Sequence, residues 1–215
     1  MPEESEVVLA VPKGRVLKQL VPLFERAGID TSALTESSRK LIRRAGGCRF
    51  LLLKPDDVPT YVEYGAADLG VVGRDVLLER EYDLYAPLDL GIGRCQLAVA
   101  GPAGASYPPP SDVTLRVATK FPNVATRFFA GRGQPAEVIF VQGSVELAPL
   151  TGLSDVIVDI VETGETLRQN GLSVFEPIAD VSSVVVANRV GLKLKRDRIA
   201  PLLEAMRSGV TEPST

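Results

Sequence analysis

Residues 155–166 carry the sequence Asp-Val-Ile-Val-Asp-Ile-Val-Glu-Thr-Gly-Glu-Thr, and this stretch decides the fold class. Its first seven residues are nearly continuously apolar, which is typical of a strand covered on both faces. The Thr-Gly-Glu-Thr turn that follows predicts the start of a helix over 163–169. A buried strand that runs directly into a helix is the repeating unit of α/β proteins.

The same strand-to-helix order recurs on both sides of this stretch. The patterns predict further strands at 7–11, 50–53, 68–72, 96–100, 115–118, 138–141 and 183–187. Pro122 suits the first position of one helix, Gly143-Ser144 is predicted to open a short one, and 196–206 is predicted to form the last, before a frayed tail at 210–215. This alternation predicts α/β layers with largely parallel sheets.

Composition excludes several classes of function. The chain has 215 residues, a formal net charge of −3 and no histidine. Without a basic stripe, nucleic acid is not expected as a partner. The lack of histidine excludes Ser-His-Asp and Cys-His nucleophilic systems and histidine-based zinc sites. Acid–base chemistry therefore falls to carboxylates, lysine, tyrosine or cysteine.

The expected compartment is the cytoplasm. Cys48 and Cys95 stand in unrelated contexts, which favours a reducing compartment. The segment 1–6 is acidic and polar, unlike a signal peptide. No apolar run approaches the roughly 20 residues that span a bilayer, so no membrane association is expected.

The acidic strand end and its turn predict a phosphate site. Free N–H groups and the positive end of a helix dipole favour an anion at such a turn, and Gly164 would let a phosphate approach the backbone. Thr163 and Thr166 can donate from their hydroxyl groups, while Asp159 and Glu162 could accept ribose hydroxyls or hold Mg²⁺ through water. The alternative is a plain helix start with Thr163 as its N-cap.

Basic residues follow the first strand in the segment Pro12-Lys13-Gly14-Arg15. Cations at the carboxyl end of a strand suit a polyphosphate, although a basic helix start is also common. Arg39-Lys40 and Arg43-Arg44 are further clusters for small anions or for a solvated face. The segment 91–96 lacks the third glycine of a dinucleotide fingerprint, and Asp56-Asp57 is more typical of a helix N-terminus than of a metal pair.

Taken together, these segments resemble the short-form ATP phosphoribosyltransferases of histidine biosynthesis, from about Val7 to about Met206. The resemblance rests on segments that occur in one order: Pro12-Lys-Gly-Arg15, Ser38-Arg-Lys-Leu41, Asp57-Val-Pro-Thr-Tyr-Val62, Ala67-Asp-Leu-Gly-Val-Val-Gly73, Asp89-Leu-Gly-Ile-Gly-Arg94, Lys120-Phe-Pro-Asn123, Gly143-Ser-Val-Glu-Leu-Ala-Pro149 and 152–164. So many ordered segments make a chance match very improbable.

The resemblance implies a two-lobed, type II periplasmic-binding-protein-like α/β fold with the active site in the cleft between the lobes. Residues 1–93 and 179–215 would form the first lobe and residues 94–178 the second. It further implies a Mg²⁺ requirement, a homodimer of catalytic subunits, and a hetero-octamer with a regulatory subunit that resembles histidyl-tRNA synthetase. The chain is expected to be too short for the regulatory domain of long-form enzymes.

The implied reaction is transfer of phosphoribosyl from phosphoribosyl pyrophosphate (PRPP) to N1 of ATP, with release of pyrophosphate. Catalytic roles fall on Lys13, Arg15 and Arg39. The expected PRPP-binding residues are Asp159, Glu162, Thr163, Gly164, Glu165 and Thr166. The expected ATP- or pyrophosphate-binding residues are Lys13, Gly14, Arg15, Arg39, Lys40, Arg94, Cys95 and Glu146. No protein ligand is assigned to the metal, which substrate phosphates would mainly hold.

Two other functions compete with this interpretation. The first is a two-lobed module that binds a small anion without catalysis. The second is a phosphoribosyltransferase for a free base, which would release pyrophosphate with that base and not with ATP.

Overall fold

The computed structural model describes residues 6–211, with the backbone alone for Thr211. Within these residues the chain forms two compact units. Unit 1 comprises the described residues of Met1–Leu77, Glu81–Gly93 and Ser182–Thr215, and unit 2 comprises Leu78–Arg80 and Arg94–Val181. Across 6–211, no helix is long and apolar enough to cross a membrane.

Unit 1 is built on a six-stranded sheet in the described part of the chain. Its strands are β1 (Val7–Pro12), β2 (Ile42–Ala45), β3 (Cys48–Leu53), β4 (Leu69–Gly73), β5 (Tyr85–Asp89) and β11 (Ser183–Ala187), in the spatial order β2-β3-β1-β4-β11-β5. β1 lies parallel to β3 and β4, whereas β2 and β11 run antiparallel to their neighbours.

Helices cover both faces of this sheet. They are α1 (Arg15–Arg26), α2 (Ser32–Thr35), α3 (Val58–Glu63), α4 (Arg74–Glu79), α8 (Arg189–Leu194) and α9 (Arg196–Thr211). Leu9 and Val11 belong to the apolar cluster that contains Phe24 of α1 and Met206 of α9. Val8 and Ala10 belong to the cluster with α3, because side chains alternate between the two faces of a strand.

Unit 2 contains a five-stranded sheet within residues 94–181. Its strands are β6 (Cys95–Pro102), β7 (Leu115–Thr119), β8 (Ala136–Phe140), β9 (Val156–Val161) and β10 (Leu172–Val181), in the order β10-β6-β9-β7-β8. β7 lies parallel to both β8 and β9, while β6 runs antiparallel to β9 and β10.

Three helices pack on this second sheet: α5 (Pro122–Gly131), α6 (Leu147–Leu150) and α7 (Glu165–Gln169). Val158 belongs to the apolar cluster with Phe129 of α5 on one face. Ile157 belongs to the cluster with Ala148 of α6 and Leu167 of α7 on the other face. The covered strand predicted at 155–161 is thus confirmed as β9, and it lies at the centre of the unit 2 sheet.

The sheets are mixed, so the prediction of largely parallel sheets is wrong. The sequence patterns missed β2, β5 and β10, which are all edge strands. Only the two end residues of β10, Leu172 and Val181, are buried, and the strand contains two register shifts, so it lacks the apolar run of a covered strand. Three helix bounds also differ, because α6 begins at Leu147, α7 begins at Glu165 and α9 continues to Thr211. The rest of the predicted tail, 212–215, and residues 1–5 lie outside the described residues.

Gly70 tests the packing of α3 on the unit 1 sheet. A Cβ atom at Gly70 would lie 2.7 Å from Val58 Cγ1 and 2.7 Å from Val62 Cγ2. We expect Gly70→Ala to lower the free energy of unfolding by about 1–3 kcal/mol, because the overpacked strand must shift. Gly131→Ala is the matched control, since its Cβ would meet no atom within 4 Å. Urea denaturation should separate the two variants, and equal midpoints would contradict this packing.

Candidate active site

Three parallel strands of unit 2 end at one edge of its sheet. The register pairs Thr119 of β7 with Phe140 of β8 and with Val158 of β9. The segments that leave these strands therefore emerge side by side: Lys120 after β7, residues 141–146 after β8, and residues 162–166 after β9. Such a carboxyl edge is where open α/β sheets gather their ligands.

Asp159 is a partly buried acidic residue at this edge. It follows two fully buried residues of β9, and its carboxylate accepts a hydrogen bond of 2.8 Å from the backbone N–H of Ile160. Burial raises the pKa of Asp159 to about 6, although the hydrogen bond from Ile160 lowers this pKa. The charge of Glu146 also raises it, and the charge of Lys120 lowers it. The structure therefore brings Asp159, Glu146 and Lys120 into one electrostatic group.

The turn after β9 is centred on a glycine with a positive φ angle. Gly164 lies in the left-handed region with φ 71° and is the N-cap of α7, so Thr163 is not the N-cap that the alternative interpretation expected. The hydroxyl of Thr163 accepts a 3.3 Å hydrogen bond from the backbone N–H of Glu165. The Thr163 hydroxyl keeps its own hydrogen available to donate.

Glu165 has its carboxylate engaged along the helix. Arg168 pairs with it at 2.5 Å and Gln169 donates to it at 2.9 Å. These hydrogen bonds hold the pKa of Glu165 below its ordinary value. The side chain of Glu165 is thus occupied within α7, whereas Glu162 and Thr166 are exposed at the turn.

Arg94 and Cys95 come to the same edge of unit 2 by a different route. β6 runs antiparallel to β9, and its register pairs Gln96 with Val161. The start of β6 therefore lies beside the end of β9. Arg94 is exposed and Cys95 is partly buried.

The predicted basic residues gather at the carboxyl edge of the unit 1 sheet. Lys13 follows β1, and its backbone N–H donates to the carbonyl of Leu53 at the end of β3. Gly14, with φ 89°, is the N-cap of α1, and Lys13 and Arg15 are exposed. Because β2 is antiparallel to β3, the exposed residues Arg39 and Lys40 precede β2 at this same edge.

Arg43 shapes the segment that carries Arg39 and Lys40. Its guanidinium donates to four backbone carbonyl groups, at 2.9 Å to Ala33, 3.0 Å to Glu36, 2.5 Å to Ser38 and 3.1 Å to Lys40. A planar guanidinium with five donors can hold several carbonyl groups at once. Sequence reasoning saw Arg43 only as a member of a basic cluster, since no sequence motif marks these contacts with carbonyl groups three to ten residues away.

The predicted residues thus form two groups, one at the carboxyl edge of each sheet. Unit 1 holds Lys13, Gly14, Arg15, Arg39 and Lys40; unit 2 holds Arg94, Cys95, Glu146, Asp159 and residues 162–166. Sequence reasoning gave no role to Thr119 or Lys120, although the segment Lys120-Phe-Pro-Asn123 was a visible signal. Among residues 6–211, no group of three or more Cys, Asp or Glu side chains could hold a metal ion by itself.

The fold matches a known class of two-lobed proteins. The VFT2 domain of Bordetella pertussis BvgS superposes with a TM-score of 0.60, covering 98% of this chain and 88% of that chain. Its 13% sequence identity shows the fold alone. The chain has the α/β fold of type II periplasmic-binding-protein-like proteins.

Closer relatives define the family. A sequence profile of ATP phosphoribosyltransferase (HisG) matches residues 54–208. An ATP phosphoribosyltransferase of Sorangium cellulosum is 59% identical over 204 residues, covering 94% of this chain and 95% of that protein. One of Anaeromyxobacter dehalogenans (strain 2CP-1) is 53% identical, covering 99% and 97%. A chain of the ATP phosphoribosyl transferase (HisG:HisZ) complex from Thermotoga maritima has a TM-score of 0.82 at 37% identity, covering 95% and 97%.

This chain therefore belongs to the ATP phosphoribosyltransferase family. Its enzymes are pentosyltransferases that act at the first step of histidine biosynthesis. Membership disfavours the module that binds a small anion without catalysis.

Asp159→Asn tests the electrostatic cost of the buried carboxylate in substrate-free protein. The pKa of Asp159 is about 6 in the folded chain, against 3.8 ordinarily. Because the folded state holds the proton more tightly, wild-type stability falls as pH rises from about 4 to about 6. We expect the variant to be more stable than wild type by about 3 kcal/mol at pH 7, and close to it in stability below pH 4. Urea denaturation across this range measures the difference.

Asp155→Asn is the matched control with the opposite sign. Its hydrogen bond with Arg116, at 2.7 Å, holds the pKa of Asp155 below the ordinary value. That variant should be less stable than wild type at pH 7, with the loss disappearing as the pH falls through the lowered pKa. A pH-independent effect of Asp159→Asn would contradict the burial of an ionised group.

Proposed function

We propose that this chain transfers phosphoribosyl from PRPP to N1 of ATP, giving N1-(5-phosphoribosyl)-ATP and pyrophosphate. Family membership supports the reaction. The observation that carries the assignment of sites is the carboxyl edge of unit 2, where a buried carboxylate at Asp159 precedes a glycine-centred turn. Such an arrangement offers one place for a sugar hydroxyl and another for a phosphate.

The reaction needs alignment more than proton transfer. Adenine N1 has a lone pair that is available at neutral pH, so no general base is required to activate it. This is consistent with a chain that has no histidine. The protein then has to place N1 in line with the departing pyrophosphate and stabilise the charge that develops on it.

Unit 2 is proposed to bind PRPP. Residues 162–166 hold the 5-phosphate, and Asp159 and Glu162 orient the ribose. The left-handed conformation of Gly164 supports close approach of the phosphate to the backbone. Since Arg168 and Gln169 engage the carboxylate of Glu165, this residue contributes its backbone rather than its charge.

Unit 1 is proposed to bind phosphate groups through its basic residues. Lys13, Arg15 and Arg39 neutralise the pyrophosphate and the triphosphate, with Lys40 and the backbone of Gly14 beside them. Arginine can hold a phosphate through two parallel hydrogen bonds, while lysine acts as a point charge. Arg94 and Cys95 of unit 2 are assigned to the ATP side.

Mg²⁺ is the proposed cofactor. The donor set fits it, because Mg²⁺ is commonly held by one or two carboxylates together with substrate phosphates and water. Glu146 would approach the ion through water or contact the ribose, and no three acidic or cysteine side chains in 6–211 form a cage of their own. When bound, the ion neutralises part of the charge on the leaving pyrophosphate.

The proposed assembly is a hetero-octamer with a regulatory subunit that resembles histidyl-tRNA synthetase, built on homodimers of the catalytic chain. The relative from Thermotoga maritima, a HisG:HisZ complex, supports a hetero-oligomer. We place the enzyme in the cytoplasm, because Cys48 and Cys95 form no disulfide in the described chain and fit a reducing compartment.

The reaction is tested directly by mass spectrometry. Protein, ATP, PRPP and Mg²⁺ should yield phosphoribosyl-ATP together with pyrophosphate, with a regulatory subunit added if needed. The control replaces ATP by adenine and should give no pyrophosphate. Pyrophosphate release with adenine but not with ATP would establish the free-base reaction instead.

The turn is tested by removing two hydroxyl groups. A hydrogen bond to a charged group is worth about 1.5–3 kcal/mol, so Thr163→Val with Thr166→Val should weaken PRPP binding by about tenfold or more. Thr151→Val is the control, since its hydroxyl donates to the carbonyl of Leu147 within unit 2 and belongs to no proposed site. Calorimetry that finds unchanged PRPP affinity in the folded double variant would leave the threonines as structural residues of the turn.

A further inference from the structure

Thr119 is a buried polar residue at the last position of β7. Its exposed fraction is 0%, in a strand whose neighbouring residues Val117 and Ala118 are also fully buried. A hydroxyl group in such a place is costly unless both of its hydrogen-bonding functions are used. Neither the fold class nor the proposed reaction by itself explains why a hydroxyl stands here.

The hydroxyl of Thr119 joins two segments of the chain. It donates a 2.6 Å hydrogen bond to the carbonyl of Val158 in β9. It accepts a 2.8 Å hydrogen bond from the backbone N–H of Phe121, the N-cap of α5. The next residue, Pro122, has no backbone N–H to donate. The hydroxyl of Thr119 therefore anchors the start of this helix through the N–H of Phe121.

These two hydrogen bonds are made by the chain neighbours of Lys120 and Asp159. Thr119 and Val158 are the last register pair between β7 and β9. The next residues along the two strands are Lys120 and Asp159. Lys120 lies between two anchored neighbours, and its Nζ atom is 5.8 Å from the centroid of the buried Phe121 ring. The backbone on both sides of Lys120 is therefore fixed relative to the backbone that carries Asp159.

We propose that Thr119 is a positioning residue, whose hydroxyl ties the ends of β7 and β9 so that Lys120 stands beside Asp159 and binds an anionic oxygen of PRPP. This inference rests on the proposed function, since it deepens the PRPP site of unit 2. Lys120 is a cation that this edge supplies next to Asp159, and a polyanionic sugar phosphate needs such a charge. In this arrangement Asp159 contacts the ribose of PRPP and Lys120 contacts one of its phosphate groups.

The experiment compares Thr119→Val, Thr119→Ser and Lys120→Met in the full chain. Valine has the shape of threonine without the hydroxyl, whereas serine keeps both hydrogen bonds. Thr119→Val and Lys120→Met should each lower kcat/KM for PRPP by about tenfold or more, with KM for ATP changed less than about threefold. Thr119→Ser should stay within about twofold of wild type. Calorimetry with PRPP gives the same comparison for binding alone.

A double variant separates positioning from simple loss of structure. If Thr119 acts through Lys120, Thr119→Val in the Lys120→Met background should cost little more than Lys120→Met alone. A general loosening of the sheet would instead multiply the two losses and impair ATP as much as PRPP. Thr126→Val is the control, because it also removes a threonine hydroxyl in unit 2. That hydroxyl donates to the carbonyl of Pro122 within α5.

Three results would overturn the proposal: wild-type PRPP affinity in folded Thr119→Val, multiplying losses in the double variant, or Thr119→Ser as impaired as Thr119→Val. If Thr119→Val does not fold, Lys120→Met decides, because unchanged PRPP kinetics in that variant would contradict the role of Lys120. A wild-type chain that binds no PRPP would overturn the proposed function as well, whereas an active wild type with unaffected variants overturns this inference alone.

Discussion

Burial of both faces of each sheet is the constraint on which the rest of this structure depends. Val158 and Ile157 point to opposite sides of β9, and each lies in an apolar cluster beneath helices. A strand covered in this way has little room for charge along its length. Polar chemistry is therefore confined to the ends of strands. In each unit, parallel strands bring several of those ends to a single edge.

Asp159 shows what this arrangement costs and what it provides. The carboxylate lies one residue beyond the buried part of β9, where burial raises its pKa to about 6. A group with such a pKa opposes folding when it is ionised, and binding sites are where proteins retain groups of this kind. The hydrogen bond from the backbone N–H of Ile160 and the positive charge of Lys120 offset part of the desolvation. Substrate hydroxyls would supply the remaining hydrogen bonds.

Much of the fold could be predicted from local patterns, and the failures have physical causes. The covered strand at Val156–Val161 and the helix beginning at Pro122 follow from apolar runs and from proline chemistry, which act within a few residues. The edge strands β2, β5 and β10 were missed because half-exposed strands lack an apolar run. The start of α6 was placed too early because Ser144, with φ 49°, lies in a turn that the Gly-Ser pair only partly indicates.

The sequence by itself determined the family, the α/β class and the identity of the acidic turn, because each depends on residues that are adjacent in the chain. The tertiary structure alone decided which side chains meet. Thr119 reaches Val158 across 39 residues, and Arg43 gathers carbonyl groups up to ten residues away. Strand register and burial fix these contacts, and both are set by packing between segments. For the same reason the pKa of Asp159, which depends on burial and on Glu146 and Lys120, is a property of the folded unit.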